Sequence, residues 1–353
     1  MKRPNYLRFI IIICVFILLY IGLLSILIHI EAHDPNVKIK DFGDALWFSI
    51  VTLTTVGYGD LYPVTFEGKL YGSIFLFASL GFYGVIIGQI TNIMSSIKEH
   101  NKLGMNGTNF TNHVVVIGWS DFGKAVVDQL ISAGRSIAIV TKDKDNIDII
   151  HEYYPKKNVF TLFSDYNNFE LLAKMNIKEC SVVFVNLNDD TEKLVYVLNL
   201  KKHYENLKFV VTLDNANLKS TFHTAGVTYA VSKHEIASRL LASYIFEPDV
   251  AIYSEEIIAY PESDEDYDIK QFRVLHANPY KDKYYDKVFY DMKKEFNVVL
   301  IGIVKVNGGE RKLLKNPEET VIINEGDYLI LITNKNSVKQ LKRFFNVEEG
   351  SSH

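Results

Sequence analysis

Thr52-Leu53-Thr54-Thr55-Val56-Gly57-Tyr58-Gly59-Asp60 is the stretch whose reading decides the fold. Its glycines permit backbone angles that a side chain would forbid, so successive carbonyls can be turned to one side. The carbonyls of Thr55, Val56, Gly57 and Tyr58, with the Thr55 hydroxyl, could then replace the hydration shell of a cation if four copies faced one axis. The plainer reading is a glycine turn between two helices. What lies on either side decides between them.

From Leu7 to Ile30 the chain is almost uncharged, with Gly22 and Ser25 its only small polar breaks. A second apolar run extends from Leu70 to Ile97 and holds Gly72, Gly81, Gly84 and Gly88. About twenty apolar residues span a bilayer core, so two membrane helices are expected. A signal peptide would also begin with Lys2, Arg3 and Arg8, but the first run is too long and lacks a small-residue cleavage pattern. Lys2, Arg3 and Arg8 precede the first span, and Lys98 and Lys102 follow the second. His29, Glu31, His33 and Asp34 lie between the spans. The positive-inside rule places both termini in the cytoplasm of a multi-pass plasma-membrane protein. Ala45 to Thr54, with Trp47 and Phe48, reads as an amphipathic helix too short to cross. Irregular backbone at membrane depth survives only when buried in protein or lining a water-filled path. Tyr58 is then expected to pack against the short helix, and Asp60 to sit at the outer mouth. No run of spaced arginines precedes the first span, so no voltage sensor is encoded. Gly81, Gly84 and Gly88 share one helix face, which suits either close helix packing or a gating hinge at Gly81 or Gly84.

Residues 7 to about 100 resemble the potassium channel superfamily. The resemblance implies that Thr55, Val56, Gly57, Tyr58 and Gly59 select K+ as the permeant ion. One chain supplies a quarter of such a filter, so a homotetramer in the lipid bilayer is implied.

The remaining residues have mixed polarity. Over the 353-residue chain a net charge of −4 and a pI near 6.2 argue against nucleic acid as a partner. Two cysteines, Cys14 and Cys180, make neither a disulfide framework nor a zinc site. After a linker at 101–112, apolar runs at His113–Ile117, Ser136–Val140, Val159–Phe163, Val182–Val185 and Phe209–Thr212 read as strands. They alternate with helices up to Ala133 and over Phe169–Met175, Asp190–His203 and Asn217–His223. Alternating strands and helices predict a Rossmann-like, doubly wound α/β sheet. Placed behind a pore, this resembles the RCK (regulator of K+ conductance) domain. Ser164-Asp165, Ala225-Gly226 through Ser232, and Asn324-Glu-Gly-Asp327 carry the likeness. The whole chain resembles two-span prokaryotic potassium channels gated by calcium in methanogens. The expected plan is a pore domain at 1–100, the linker, an N-terminal RCK lobe at 113–248 and a smaller α+β lobe at 249–349. The resemblance further implies an octameric ring in which separately made soluble RCK subunits join the tethered four. Met105 stands where an internal start could supply them.

The gating ligand stays open between two classes. Gly118, Ser120, Gly123 and Asp143 are the candidates for NAD or an adenine nucleotide, with Ser120 where the dinucleotide fingerprint wants glycine and Thr141 where it wants an acid. The plainer alternative is a retained turn without ligand. The resemblance instead aligns Asp165, Asp214 and Thr212 with a regulatory Ca2+ site, although Asp214 could simply cap a helix. Calcium is the favoured ligand. An NAD-dependent oxidoreductase would need a general acid or base beside the turn, and none stands out, so no enzyme is expected. Glu247, Asp249, Glu255 and Glu256 read as a solvated face, Glu262 to Asp268 as an exposed acidic loop, and Gly350 to His353 as an expression remnant.

Overall fold

The computed structural model describes residues 6–261, 263–308 and 310–350. Lys2, Arg3, Glu262 and Ser351 to His353, named above, lie outside the described residues. The chain divides into two compact units, residues 1–99 and 100–353.

The first unit holds helices α1 (Tyr6–Glu31), α2 (Phe42–Leu53) and α3 (Phe66–Lys102). Two of these, α1 and α3, are long and apolar enough to cross a membrane; α2 is shorter. Asp41 starts α2 by accepting the Asp44 amide at 3.0 Å, which satisfies one of the donors every helix start leaves free. Leu24 and Leu27 of α1 pack with Ala45 and Phe48 of α2 and Phe75 of α3 in a small core. Outside that core the apolar surface of the long helices stays open: Leu18 is 69% and Phe77 78% exposed. Such surface is stable only against lipid or other copies of the chain.

The second unit opens with a parallel six-stranded sheet in the order β3-β2-β1-β4-β5-β6. Its strands are β1 (Val114–Ile117), β2 (Ile137–Thr141), β3 (Val159–Phe163), β4 (Val182–Val185), β5 (Phe209–Leu213) and β6 (Tyr229–Ser232). Continuous runs such as Val-Val-Val-Ile in β1 have no polar face, and a sheet covered on both sides is what they require. Helices α4 (Asp121–Ser132) and α5 (Lys144–Tyr153) cover one face. On the other lie α6 (Phe169–Leu172), α7 (Asp190–His203) and α8 (Lys219–Thr224). Capping chemistry sets α7: Asp189 accepts the Glu192 amide at 2.8 Å. Acids occupy its first turn and Lys201, Lys202 and His203 its last, matching the helix dipole.

Helices α9 (Lys233–Phe246) and α10 (Pro248–Ile258) lead to an antiparallel sheet in the order β7-β10-β8-β9. Its strands are β7 (Tyr267–Arg273), β8 (Val299–Asn307), β9 (Glu310–Lys315) and β10 (Tyr328–Asn334), and α11 (Tyr285–Phe296) and α12 (Lys335–Phe345) complete this lobe. The fold is therefore an α-helical pair of spans with a short intervening helix, followed by a Rossmann-like α/β sheet and an α+β lobe.

Three local expectations change. Phe169–Met175 is not one helix: α6 ends at Leu172 and a 3-10 turn follows, closed by Asn176 at φ 50°. Helix α5 was not anticipated, although Asp143 caps it and Ile147 and Ile150 bury its inner face. The acidic run does not stay in an exposed loop either. Asp268 enters β7, is 4% exposed and pairs with Lys270 at 2.7 Å.

Candidate functional site

Helix α2 delivers the chain into the Thr55–Gly59 segment. Thr54 closes the helix, and the amides of Val56 and Gly57 both reach back to the Val51 carbonyl, at 3.0 and 3.2 Å. The negative end of the α2 dipole thus lies beside Thr55 and Val56, where a cation would gain from it. Thr55 (φ 58°), Gly57 (φ 60°) and Gly59 (φ 75°) occupy the left-handed region, and Val56 and Tyr58 do not. Alternation of this kind turns successive carbonyls to the same side of the strand. Glycine accepts such angles freely, whereas at β-branched Thr55 they are costly. The segment's outer end is held by Trp47, whose Nε1–H donates to Asp60 at 2.9 Å. The Trp47 and Tyr58 rings stack in near-parallel planes, 6.0 Å between centroids and 4° apart. Gly81, Gly84 and Gly88 all lie in unbroken α3, and a Cβ at any of them would meet nothing within 4 Å.

In the second unit the glycine turn joins β1 to α4. A Cβ on Gly118 would lie 2.5 Å from the Asn186 carbonyl oxygen, and one on Gly123 2.4 Å from the Asn186 amide nitrogen. Glycine is therefore demanded at 118 by the Asn186 backbone, while at 123 the close neighbour is the end of the Asn186 side chain. Ser120 is the N-cap of α4: its hydroxyl accepts the Gly123 amide at 3.1 Å and the Asn186 side-chain amide at 2.9 Å. Asp143 caps α5 by accepting the Asp145 amide at 3.0 Å, and Thr141 is buried with its hydroxyl toward the Asp143 amide.

Asp165 follows β3 and turns back to accept the Asn167 amide at 2.8 Å. With Asn168, Glu170, Lys178 and His203 it lines an open pocket of about 960 Å³. Thr212 is buried near the end of β5, and Asp214 just beyond pairs with Lys233 at 2.9 Å. No group of three or more His, Cys, Asp or Glu placed to hold a metal occurs among the described residues.

Two features were missed by sequence reasoning. Asp190 accepts the amides of Asp214 at 3.1 Å and Asn215 at 2.9 Å, and pairs with fully buried Lys193 at 2.8 Å. Burial opposes its ionisation, but the amide donors and Lys193 outweigh that and hold its carboxyl below the usual range. Its place at the first turn of α7 was the available signal. The other is the segment after α3, rich in Gly and Asn. Phe163 donates its amide to the Leu103 carbonyl at 3.0 Å, and Thr108 to that of Lys174 at 2.8 Å. Lys174 Nζ donates to the Met105 carbonyl at 2.6 Å, and the Asn176 side chain to that of Phe110 at 2.9 Å. Gly104 (φ 77°) presses on β3 so closely that a Cβ would sit 2.0 Å from the Thr161 oxygen. Residues 174 to 179, which meet this strap together with β3, lie in the same β3–β4 connection as Asp165, beyond α6.

Comparison with known proteins agrees with both units. A family model described as Ion channel matches residues 7–96, and the TrkA-N domain model matches residues 114–233. Potassium channel protein 1 of Methanocaldococcus jannaschii is 24% identical over 314 residues, spanning 86% of this chain and 89% of its own. The calcium-gated potassium channel TvoK of Thermoplasma volcanium is 22% identical over 321 residues, spanning 86% and 87%. Among solved structures, the human SLO3 gating ring superposes with a TM-score of 0.51 at 11% identity, over 66% of this chain and 46% of that one, a likeness of fold. An ion-channel segment with apolar helices on either side of Thr55–Gly59, followed in sequence by a TrkA-N domain, gives the chain the make-up of a potassium channel with an RCK regulatory domain.

Proposed function

We propose that four copies of this chain surround the Thr55–Gly59 segment to form a K+-selective pore of the plasma membrane, with both termini cytoplasmic, opened by a ligand that binds the RCK units. The observation that carries the gating is the strap at Leu103–Asn112. It is not slack chain, because it is hydrogen-bonded to β3 and to residues 174–179. A change of shape in the Asp165–Glu179 segment therefore moves the residues that follow α3 directly. Residues 113–248 and 249–349 serve as the two lobes of the sensor. Exposed apolar residues on α9 and α10, among them Ile245 at 77% and Phe246 at 81%, suit packing against further copies. An eight-membered ring, completed by soluble RCK subunits, would cover them.

Calcium is the favoured ligand, supported by the likeness to a channel named as calcium-gated over most of both chains. Asp165, Thr212 and Asp214 do not form a finished calcium site, which takes six to eight oxygens. Asp214 is engaged by Lys233, and Asp165 spends one oxygen on its own loop. Release of Asp214 from Lys233 is the change in this chain that occupancy there would require. The adenine-nucleotide reading has less support, since the Gly123 amide is already bonded to Ser120 and Asp143 is spent on capping α5.

Taking a two-state gate from 1:99 to 99:1 needs a differential affinity of about 10⁴-fold, within reach of modest sites acting together. The test is open probability of the reconstituted full-length channel in planar bilayers against calcium, ADP and NAD in turn. A steep rise with calcium is expected; activity indifferent to all three would overturn the proposal.

A further inference from the structure

His29 lies in the last turn of α1, and His33 follows four residues on, in the turn that leaves the helix. Both side chains are exposed. Helical hydrogen bonding runs past α1 by one residue, because the Ala32 amide donates to the Ile28 carbonyl at 3.0 Å. A spacing of four on a helical backbone puts the two imidazoles on one face. Their ring centroids are 5.7 Å apart and their planes stand at 88°.

Imidazole is the commonest metal-ligating side chain, and two of them at i and i+4 is a chelating arrangement. Rings that share one ion, each through a nitrogen about 2 Å from it, have centres no further apart than about 6.5 Å. The observed separation meets that limit. Because both rings are exposed, turning each about its χ2 to aim a nitrogen at a common point gives up little packing.

The backbone beneath the pair is held on its other side. Glu31 lies between the two histidines and roughly opposite them around the helix, fully buried, where it accepts the Val64 amide at 2.7 Å and the Thr65 amide at 3.1 Å. Leu27, two residues before His29, is buried with Ala45 and Phe48 of α2. Two ligands on a fixed backbone lose little freedom when an ion joins them. Asp34 follows His33 and accepts the Asn36 amide at 2.8 Å, which sets a carboxylate next in the chain to the pair.

We infer that His29 and His33 form a site for a divalent transition metal at the end of α1 nearest the chain that leaves Thr55–Gly59. With two imidazoles as protein ligands the remaining positions fall to water. A mixed nitrogen and oxygen set of this kind suits Cu2+ in tetragonal geometry, ahead of Ni2+ and Zn2+. An ion held by both rings clips the last turn of α1 to the turn beyond it, so occupancy stabilises the folded chain. The site does not depend on which ion the pore passes.

The experiment uses the full-length protein in phosphatidylcholine nanodiscs with Cu2+ alone as the probe. Eight of the ten histidines lie elsewhere in the chain, so the reading is the difference between wild type and variants. Wild type is expected to bind one Cu2+ per chain more than the His29→Ala, His33→Ala double variant, with two nitrogens in the equatorial set by electron paramagnetic resonance. Either single substitution is expected to weaken that site by about tenfold or more, at least what loss of an outer-shell partner costs a metal site. Ni2+ is expected to raise the thermal midpoint of wild type and to leave that of the double variant unmoved. Two rings in mere edge-to-face contact would give none of these differences. Equal Cu2+ binding by wild type and the double variant, full affinity retained in the single variants, or a wild-type midpoint indifferent to Ni2+ would each overturn the inference.

Discussion

Trp47 and Asp60 are joined across thirteen residues by a 2.9 Å hydrogen bond from the indole Nε1–H to the carboxylate Oδ2. The bond links the middle of α2 to the residue just beyond the Thr55–Gly59 segment, and the same indole stacks on Tyr58. Trp47→Phe keeps a ring for Tyr58 and removes only the donor. Mean open time in single-channel records is expected to shorten, by about tenfold at most for one hydrogen bond, with unitary conductance unchanged. Unaltered open times would show that the bond does not steady the filter.

The strap gives a prediction about coupling. Lys174→Ala removes the donor to the Met105 carbonyl, which stands 2.6 Å away, at a cost of about 1 kcal/mol. Gly104→Ala is harsher, adding roughly 1–2 kcal/mol of left-handed strain to the clash with Thr161. Each is expected to shrink the ligand-dependent change in open probability while leaving single-channel conductance intact. Conductance falling in step with open probability would contradict this separation of sensor from pore.

Much of the fold was legible because its signals are local. Two uncharged runs and the Thr55–Gly59 stretch predicted the first unit, and continuous apolar strands such as Val114–Ile117 predicted a sheet covered on both faces. Helix α5 was not, because its inner face rests on only Ile147 and Ile150 amid charged residues. Asp268 was misplaced because the charges beside it hide the strand that buries it. The contact of the Glu31 carboxylate with the Thr65 amide and the strap were beyond reach for another reason: their partners lie more than thirty and more than sixty positions away. Composition likewise could not show that Gly104 is required by contact with β3 instead of by chain freedom. The fate of Asp214 depended on Lys233, and nothing in their spacing announces an ion pair.

That pair supplies a third prediction. If calcium acts through Asp214, Lys233 competes with it, and Lys233→Ala is expected to lower the calcium concentration needed for half-opening. Adding Asp214→Asn to that variant is expected to reverse the gain. Calcium titrations that coincide for all three proteins would remove Asp214 from the sensor.

A fourth concerns acid. His113, fully buried before β1, bonds the Met175 carbonyl at 2.9 Å through Nε2, while Nδ1 has no partner among the described residues. Burial holds its pKa below the ordinary 6.5, and burial likewise lowers that of His151, with Lys156 also contributing. The unfolded chain therefore takes up these protons first, and stability present above pH 6.5 is lost as pH falls below it. The thermal midpoint of the full-length protein is expected to drop across that window, less so in His113→Asn. Identical profiles for the two proteins would contradict the assignment.

The central claim, a filter built from Thr55 to Gly59, is tested most directly by the bi-ionic reversal potential of the reconstituted full-length channel with K+ on one side and Na+ on the other. The expected result is a reversal potential set by K+, abolished together with the current in Gly57→Ala, where a side chain would have to accept φ 60°. A reversal potential near zero in the wild type, or K+ selectivity untouched by Gly57→Ala, would contradict it.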